Sequence, residues 1–159
     1  MRENLDPFSH YSDQEVWEAL EDVQLKYVIE QFESKLQEPV SEGASVFSVG
    51  QKQLICLARA ILRKNRIIVL DEATANVDME TDRLIQETIK RKFSDCTVIT
   101  VAHRLETVIT SDRILVLSHG RVKEYGHPHQ LLEKEKGHFR RMVEATGKDR
   151  AQQLQKEAL

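Results

Sequence analysis

The sequence predicts an α/β domain, a sheet covered by helices, and three observations carry that expectation. Two short apolar runs rich in β-branched residues, 67–70 and 97–101, lie on either side of a stretch of helical length with an amphipathic pattern. Two further strand patterns meet at Ser118-His119-Gly120, a hairpin signal. Ahead of all of these come two helical patterns, each opened by a capping residue. Strand, helix, strand and hairpin behind helices is the order of an α/β layer architecture. A length of 159 residues, 40% of them hydrophobic, suits one ordinary domain with its own core.

Each element has its own local warrant. Ser12-Asp13-Gln14-Glu15 is a capping box, and Val16, Leu20, Val23 and Tyr27 follow at helical spacing. A helix from Asp13 into the low thirties is expected, ending well before Pro39. Acidic residues dominate this stretch up to Glu42, which reads as a solvated helix face. Beyond a loop at Ser41-Glu42-Gly43-Ala44-Ser45, Leu54, Leu57, Ala58, Ile61 and Leu62 form the apolar side of a second helix, and Trp17 is read as packing of the first. The run Ile67-Ile68-Val69-Leu70 suits a strand buried on both faces of a parallel sheet. Asp78 is placed to cap a helix over 79–92, with Leu84, Ile85, Thr88 and Ile89 inward. The second buried strand is 97–101, and the hairpin strands are 113–117 and 121–125. Short helices around Gln130 and Phe139 lead to a polar tail, 148–159, expected to be a frayed helix or disordered.

Charge and composition exclude several functions. Lys plus Arg number 23 against 26 acidic residues, a net charge of −3, so the basic excess of a dedicated nucleic-acid binder is lacking. Apolar runs such as Leu54-Ile55-Cys56-Leu57-Ala58 fall far short of the ~18 residues of a membrane-spanning helix. The start, Met1-Arg2-Glu3-Asn4, has no apolar core of a secretory signal. Cys56 and Cys96 lack C-x-x-C spacing and sit in or beside apolar segments, as reduced core residues do. His127-Pro128-His129, with His138 nearby, reads as a surface turn, because no Cys or carboxylate stands at zinc-ligand spacing.

Three constellations carry candidate chemistry. Phe47-Ser48-Val49-Gly50-Gln51 opens the second helix with a hydroxyl, a glycine and free helix amides. Such a set forms either an anion site or a plain N-cap. Asp71 and Glu72 end a strand at the edge where α/β proteins place ligands. There one carboxylate can hold Mg²⁺ and the other orient or deprotonate a water, or the pair can simply introduce a helix. His103 follows the second strand, as a polar group delivered to that same edge or as a structural histidine.

The order of these motifs resembles the downstream half of an ATP-binding-cassette ATPase. Phe47 to Gln51 is similar to the family's signature motif, and 53–62 to the helix that follows it. Asp71 resembles the Walker B aspartate, Glu72 the catalytic glutamate, Ala75-Asn76-Val77-Asp78 the D-loop, and His103 the switch histidine. The signature, the run 71–78, the stretch from Asp95 through His103-Arg104-Leu105, and Gly120-Arg121-Val122-Lys123-Glu124-Tyr125-Gly126 resemble the second nucleotide-binding domain of the C-subfamily, the multidrug-resistance-associated proteins. The resemblance runs from Asn4-Leu5-Asp6-Pro7-Phe8 to about Gly147. Phe47 and Val49 depart from the commoner Leu and Gly of the signature, in a way that the C-subfamily tolerates.

That resemblance implies a P-loop NTPase-type parallel sheet with helices, incomplete, with an N-terminal α-helical subdomain segment. The partial nucleotide-binding domain is expected at 1–147, with the helical signature region at 1–65 and the Walker B and H-loop sheet region at 66–147. The tail 148–159 follows it. The resemblance implies ATP and Mg²⁺ as cofactors, with Glu72 and His103 catalytic and Asp71 on the metal. Ser48, Gly50, Gln51 and Asp78 face nucleotide. The implied partners are transmembrane domains and a second nucleotide-binding domain, at the cytoplasmic face of a membrane. The implied activity is ATP-driven transport of organic anions, conjugates or drugs. No G-x-x-x-x-G-K-S/T run occurs, so the nucleotide phosphates lack their usual cradle within these residues and an inactive isolated chain is expected. An interaction fragment without activity and a soluble non-transport ATPase of the same superfamily are the alternatives.

Overall fold

A computed structural model describes residues 1–40, 46–71, 77–102 and 104–158. The chain divides into two compact units, residues 1–99 and 100–159.

The first unit is mostly helical. It contains α1 (Arg2–Leu5), α2 (Asp13–Asp22), α3 (Lys26–Glu30), a 3-10 turn (Lys35–Gln37), α4 (Val49–Arg63), β1 (Ile67–Asp71), α5 (Met79–Lys92) and the start of β2 (Thr97–Val101). The capping box at Ser12 forms as the sequence predicts: the Ser12 hydroxyl accepts from the Glu15 amide, and the Glu15 carboxylate accepts from the Ser12 amide.

The first helix does not reach the low thirties. It stops at Asp22, because Gln24 turns left-handed (φ 57°). The Leu25 amide then donates to the Leu20 carbonyl (2.8 Å) and the Gln24 amide to that of Glu21 (2.9 Å). This is a Schellman ending, complete with its apolar contact partners, since Leu20 and Leu25 are both buried. Cations from α5 reinforce it: Arg91 donates to the Asp22 carbonyl at 2.9 Å and Lys92 lies 2.6 Å from the Asp22 carboxylate.

Helix α4 packs its predicted face inward, with Leu54, Leu57, Ala58 and Leu62 buried among Val16, Leu20 and Ile85. Ile61 is partly buried, and Cys56, expected in the core, is exposed. Trp17 packs partly buried against this core, as read from sequence. Strands β1 and β2 neighbour each other in a two-stranded sheet, and the Thr97 amide donates to the Arg66 carbonyl. The amino ends of both strands therefore lie side by side, the parallel arrangement of a strand–helix–strand unit. The expectation of burial on both faces fails. Ile68 is buried while Ile67 and Val69 are 62% and 65% exposed, and Ile99 is also exposed. One face of the pleat, with Ile68, Leu70 and Val98, joins the core, and alternate residues face outward.

The second unit contains α6 (Leu105–Val108), β3 (Ile114–Ser118), β4 (Arg121–Gly126), α7 (Pro128–Glu133), α8 (His138–Glu144) and α9 (Lys148–Glu157). The predicted hairpin forms, antiparallel, from Ile114 opposite Gly126 to Ser118 opposite Arg121. Its two-residue turn has His119 at φ 50° and Gly120 at φ 70°, the positive pair that a type I′ turn requires. Val116 faces Glu124 but Leu117 faces Val122, so Lys123 is an extra residue, a bulge.

Ile109, Leu131, Phe139, Val143 and Leu154 form this unit's core. Buried Glu124 accepts from the Phe139 amide at 2.8 Å, so a carboxylate from β4 caps α8. Of the helix or disorder expected for the tail, the structure has the helix. It is α9, with Ala151 and Leu154 in the core. Among the described residues, no helix is long and apolar enough to cross a membrane.

Candidate functional site

The amino end of α4 is built on Phe47, buried and set edge-on against Phe32 with ring centroids 5.7 Å apart. This anchor fixes where the helix begins. Ser48 then caps α4, its hydroxyl accepting from the Gln51 amide at 3.2 Å, while the Gln51 side chain accepts from the Ser48 amide at 2.9 Å. Of the two readings open for Ser48, the plain cap is the one these contacts display. Gly50, the second residue of α4, is buried with another helix against it: a Cβ added there would lie 2.8 Å from Thr81 Cγ2. Only a hydrogen fits.

Thr81 belongs to the first turn of α5. Asp78 caps that helix as predicted, accepting from the Thr81 amide at 3.0 Å and the Thr81 hydroxyl at 2.8 Å. These bonds, the amide first and the hydroxyl second, hold the Asp78 carboxyl below its usual pKa, so it stays ionised. The first unit thus places the amino ends of α4 and α5 against each other, joined at Gly50 and Thr81. Helix amino ends carry the positive pole of the peptide dipoles, and two together favour an anion more than either alone.

Asp71 ends β1, with an exposed carboxylate at the carboxyl end of the strand. A carboxylate oxygen is a hard donor suited to Mg²⁺, and solvent access leaves it room to bind one. Ser48, Gly50, Gln51 and Asp78 therefore gather through Thr81, and Asp71 lies on the sheet of the same unit. Glu72 and His103, the two residues expected to do the chemistry, lie outside the described residues, as do Ala75 and Asn76 of the D-loop and the loop at 41–45. Thr81 was missed by sequence reasoning, although its Asp-x-x-Thr spacing from Asp78 is a capping signal. His127 is a helix cap, its Nδ1 accepting from the His129 amide at 3.3 Å, and the described residues hold no group of metal-binding side chains.

Comparison with known proteins gives this geometry its context. The profile of the family described as ABC transporter matches residues 1–75. The chain is 55% identical over 154 residues to ATP-binding cassette sub-family C member 4 of Homo sapiens, a match covering 97% of this chain. The chain belongs to the C-subfamily of ATP-binding-cassette transporters. This cassette chain is also 55% identical over 149 residues to the probable multidrug resistance-associated protein lethal(2)03659 of Drosophila melanogaster, covering 93% of the chain and 11% of that protein. With sub-family C member 2 of Rattus norvegicus it shares 53% over 147 residues, 92% of the chain and 10% of the relative. The chain spans only 12% of the length of the human relative. Its helices and small parallel sheet are those of a P-loop NTPase-type fold, and the family implies nucleotide as ligand.

Proposed function

We propose that this cassette chain supplies the signature, Walker B and switch elements of the second nucleotide-binding domain of an exporter that couples ATP hydrolysis to transport of organic anions or conjugates. The observation that supports this best is the junction at Gly50 and Thr81, which sets the amino ends of the signature helix and the D-loop helix together in the unit whose strand bears Asp71. In this reading the two helix amino ends, with Ser48, Gly50 and Gln51, serve the nucleotide of an opposed cassette. Asp78 holds the junction by its cap on α5.

Glu72 is the general base. It takes a proton from water as the water oxygen bonds to the γ-phosphorus and the bond from that phosphorus to the β,γ-bridging oxygen breaks, leaving ADP and inorganic phosphate. His103 holds the γ-phosphate and the water in line. Asp71 holds Mg²⁺, which when bound offsets the charge of the phosphates. The partners of the proposal are transmembrane domains and a second cassette at the cytoplasmic face of a membrane, with the remaining phosphate contacts supplied outside these residues.

The test is Glu72→Gln in the assembled protein that carries this chain. Steady-state ATP hydrolysis should fall by on the order of 10²–10⁴, the contribution of a positioned general base. Hydrolysis at the wild-type rate in the substituted protein would reject the role of Glu72 and the reading built on it.

A further inference from the structure

The last helix of the chain is bound to the segment that follows the switch position. Arg150, in the first turn of α9, donates from Nε (3.0 Å) and from Nη2 (2.7 Å) to the same carboxylate oxygen of Glu106, in α6. Forty-four residues separate the two in sequence. The Arg150 fork is itself held, because its Nη1 donates to Gln153 at 2.7 Å and Gln153 donates onward to Glu157 at 2.9 Å, all along α9. Beneath the ion pair, Leu105 and Val108 of α6 pack against the core that contains Ala151 and Leu154 of α9 and the fully buried Ile109. The Arg150 hydrogen bonds also hold the Glu106 carboxyl below its usual pKa, so the pair is charged at neutral pH.

Glu106 stands three residues after His103 in sequence, and α6 begins two residues after it. A four-residue helix has little stability of its own, so its place is fixed by what it packs on. We propose that Arg150 is a positioning residue for α6, the segment that follows the switch position in sequence, acting through Glu106, so that α9 sets how firmly residues 104–108 are held and thereby the rate of ATP hydrolysis. The proposal rests on the hydrolytic reading above. Arg150 touches no reacting atom in it, and the guanidinium fork fixes direction as well as distance, which a lysine at the same position does only in part.

The experiment combines two readouts on Arg150→Met, Arg150→Lys and the exchanged pair Arg150→Glu with Glu106→Arg. Amide hydrogen exchange over residues 104–109 is followed in the full chain. ATP hydrolysis is followed in the assembled protein, with Glu72→Gln as reference. Arg150→Met, which keeps the apolar stem, should speed exchange over 104–109 about two- to fivefold, the range for one half-exposed ion pair. It should lower kcat by a similar factor with the KM for ATP unchanged. Arg150→Lys should fall between, and the exchanged pair should return both readouts toward wild type.

Unchanged kcat beside an inactive Glu72→Gln protein overturns the proposal and leaves the hydrolytic reading standing. So does a rise in KM without a fall in kcat, or a loss of kcat that the exchanged pair does not recover. Full activity of Glu72→Gln removes the hydrolytic reading and the proposal together.

Discussion

Replacing Gly50 by alanine tests the junction on which the site is built. The new Cβ would lie 2.8 Å from Thr81 Cγ2 and 3.3 Å from both Thr81 Cβ and Oγ1. Threonine cannot yield by swinging a flexible end, because its branched Cβ is stiff and its hydroxyl is engaged with Asp78 at 2.8 Å. Relief therefore comes from moving the α5 terminus or from breaking that bond. Overpacking of this kind costs about 1–3 kcal/mol. Alanine regains up to ~1 kcal/mol of helix propensity over glycine, less so near a helix end. The net expectation is a loss of about 1–2 kcal/mol, measured as a lower urea midpoint at unchanged slope. Adding Thr81→Ser removes Cγ2, the nearest atom, and keeps the hydroxyl for Asp78, so the double variant should recover most of the loss. A single variant as stable as wild type, or a double variant no better than the single, would refute the close approach of the two helices.

Two other substitutions follow from the first unit. Gln24→Gly places the residue without a Cβ at the left-handed position that ends α2, and should raise the urea midpoint by the equivalent of up to about 1 kcal/mol. A lower midpoint would mean that the Gln24 side chain does more than tolerate its conformation. Asp6 accepts from the Tyr11 and His10 amides and pairs with Arg2 at 2.9 Å. Burial alone would raise its carboxyl, but those amide bonds and Arg2 outweigh it and bring the pKa from 3.8 down to about 2. A depressed carboxylate lends stability that is complete above the unfolded value and fades as pH falls toward the folded one. The stability of the chain should therefore drop between about pH 4 and pH 2. Asp6→Asn should flatten that stretch of the profile, and an unaltered profile would show that other carboxylates govern acid unfolding.

Helix starts were the most legible feature of the sequence, because Ser12, Ser48 and Asp78 announce themselves by side chains that reach their own backbone. The two strands and the hairpin were legible too, the latter because His119-Gly120 suits only a tight turn. The end of α2 was hidden, since a left-handed Gln24 carries no compositional mark and its Schellman bonds are made by backbone alone. A continuous apolar run fixes a strand but not what covers it, so the exposure of Ile67 and Val69 was invisible. In α9 the polar composition masked a sparse stripe, Ala151 and Leu154, that is enough to dock it. At the site, the order of the motifs named the family, whereas the partner of Gly50 was out of reach. A glycine records only that something comes close, and not that it is Thr81.

The bulge at Lys123 has a consequence for how β4 tolerates change in length. Glu124 turns inward and Val122 outward although two residues apart, which a regular pleat forbids. The extra residue resets the phase of the strand between them. Losing Lys123 itself would restore plain alternation: Val122 would still face Leu117 on the outer side and Glu124 would still face Val116 on the inner side, so the carboxylate cap of α8 and the strand register would both survive. Length at this point is therefore freer than residue type: the extra residue holds no place in the register, whereas the inward carboxylate beside it is tied to the Phe139 amide.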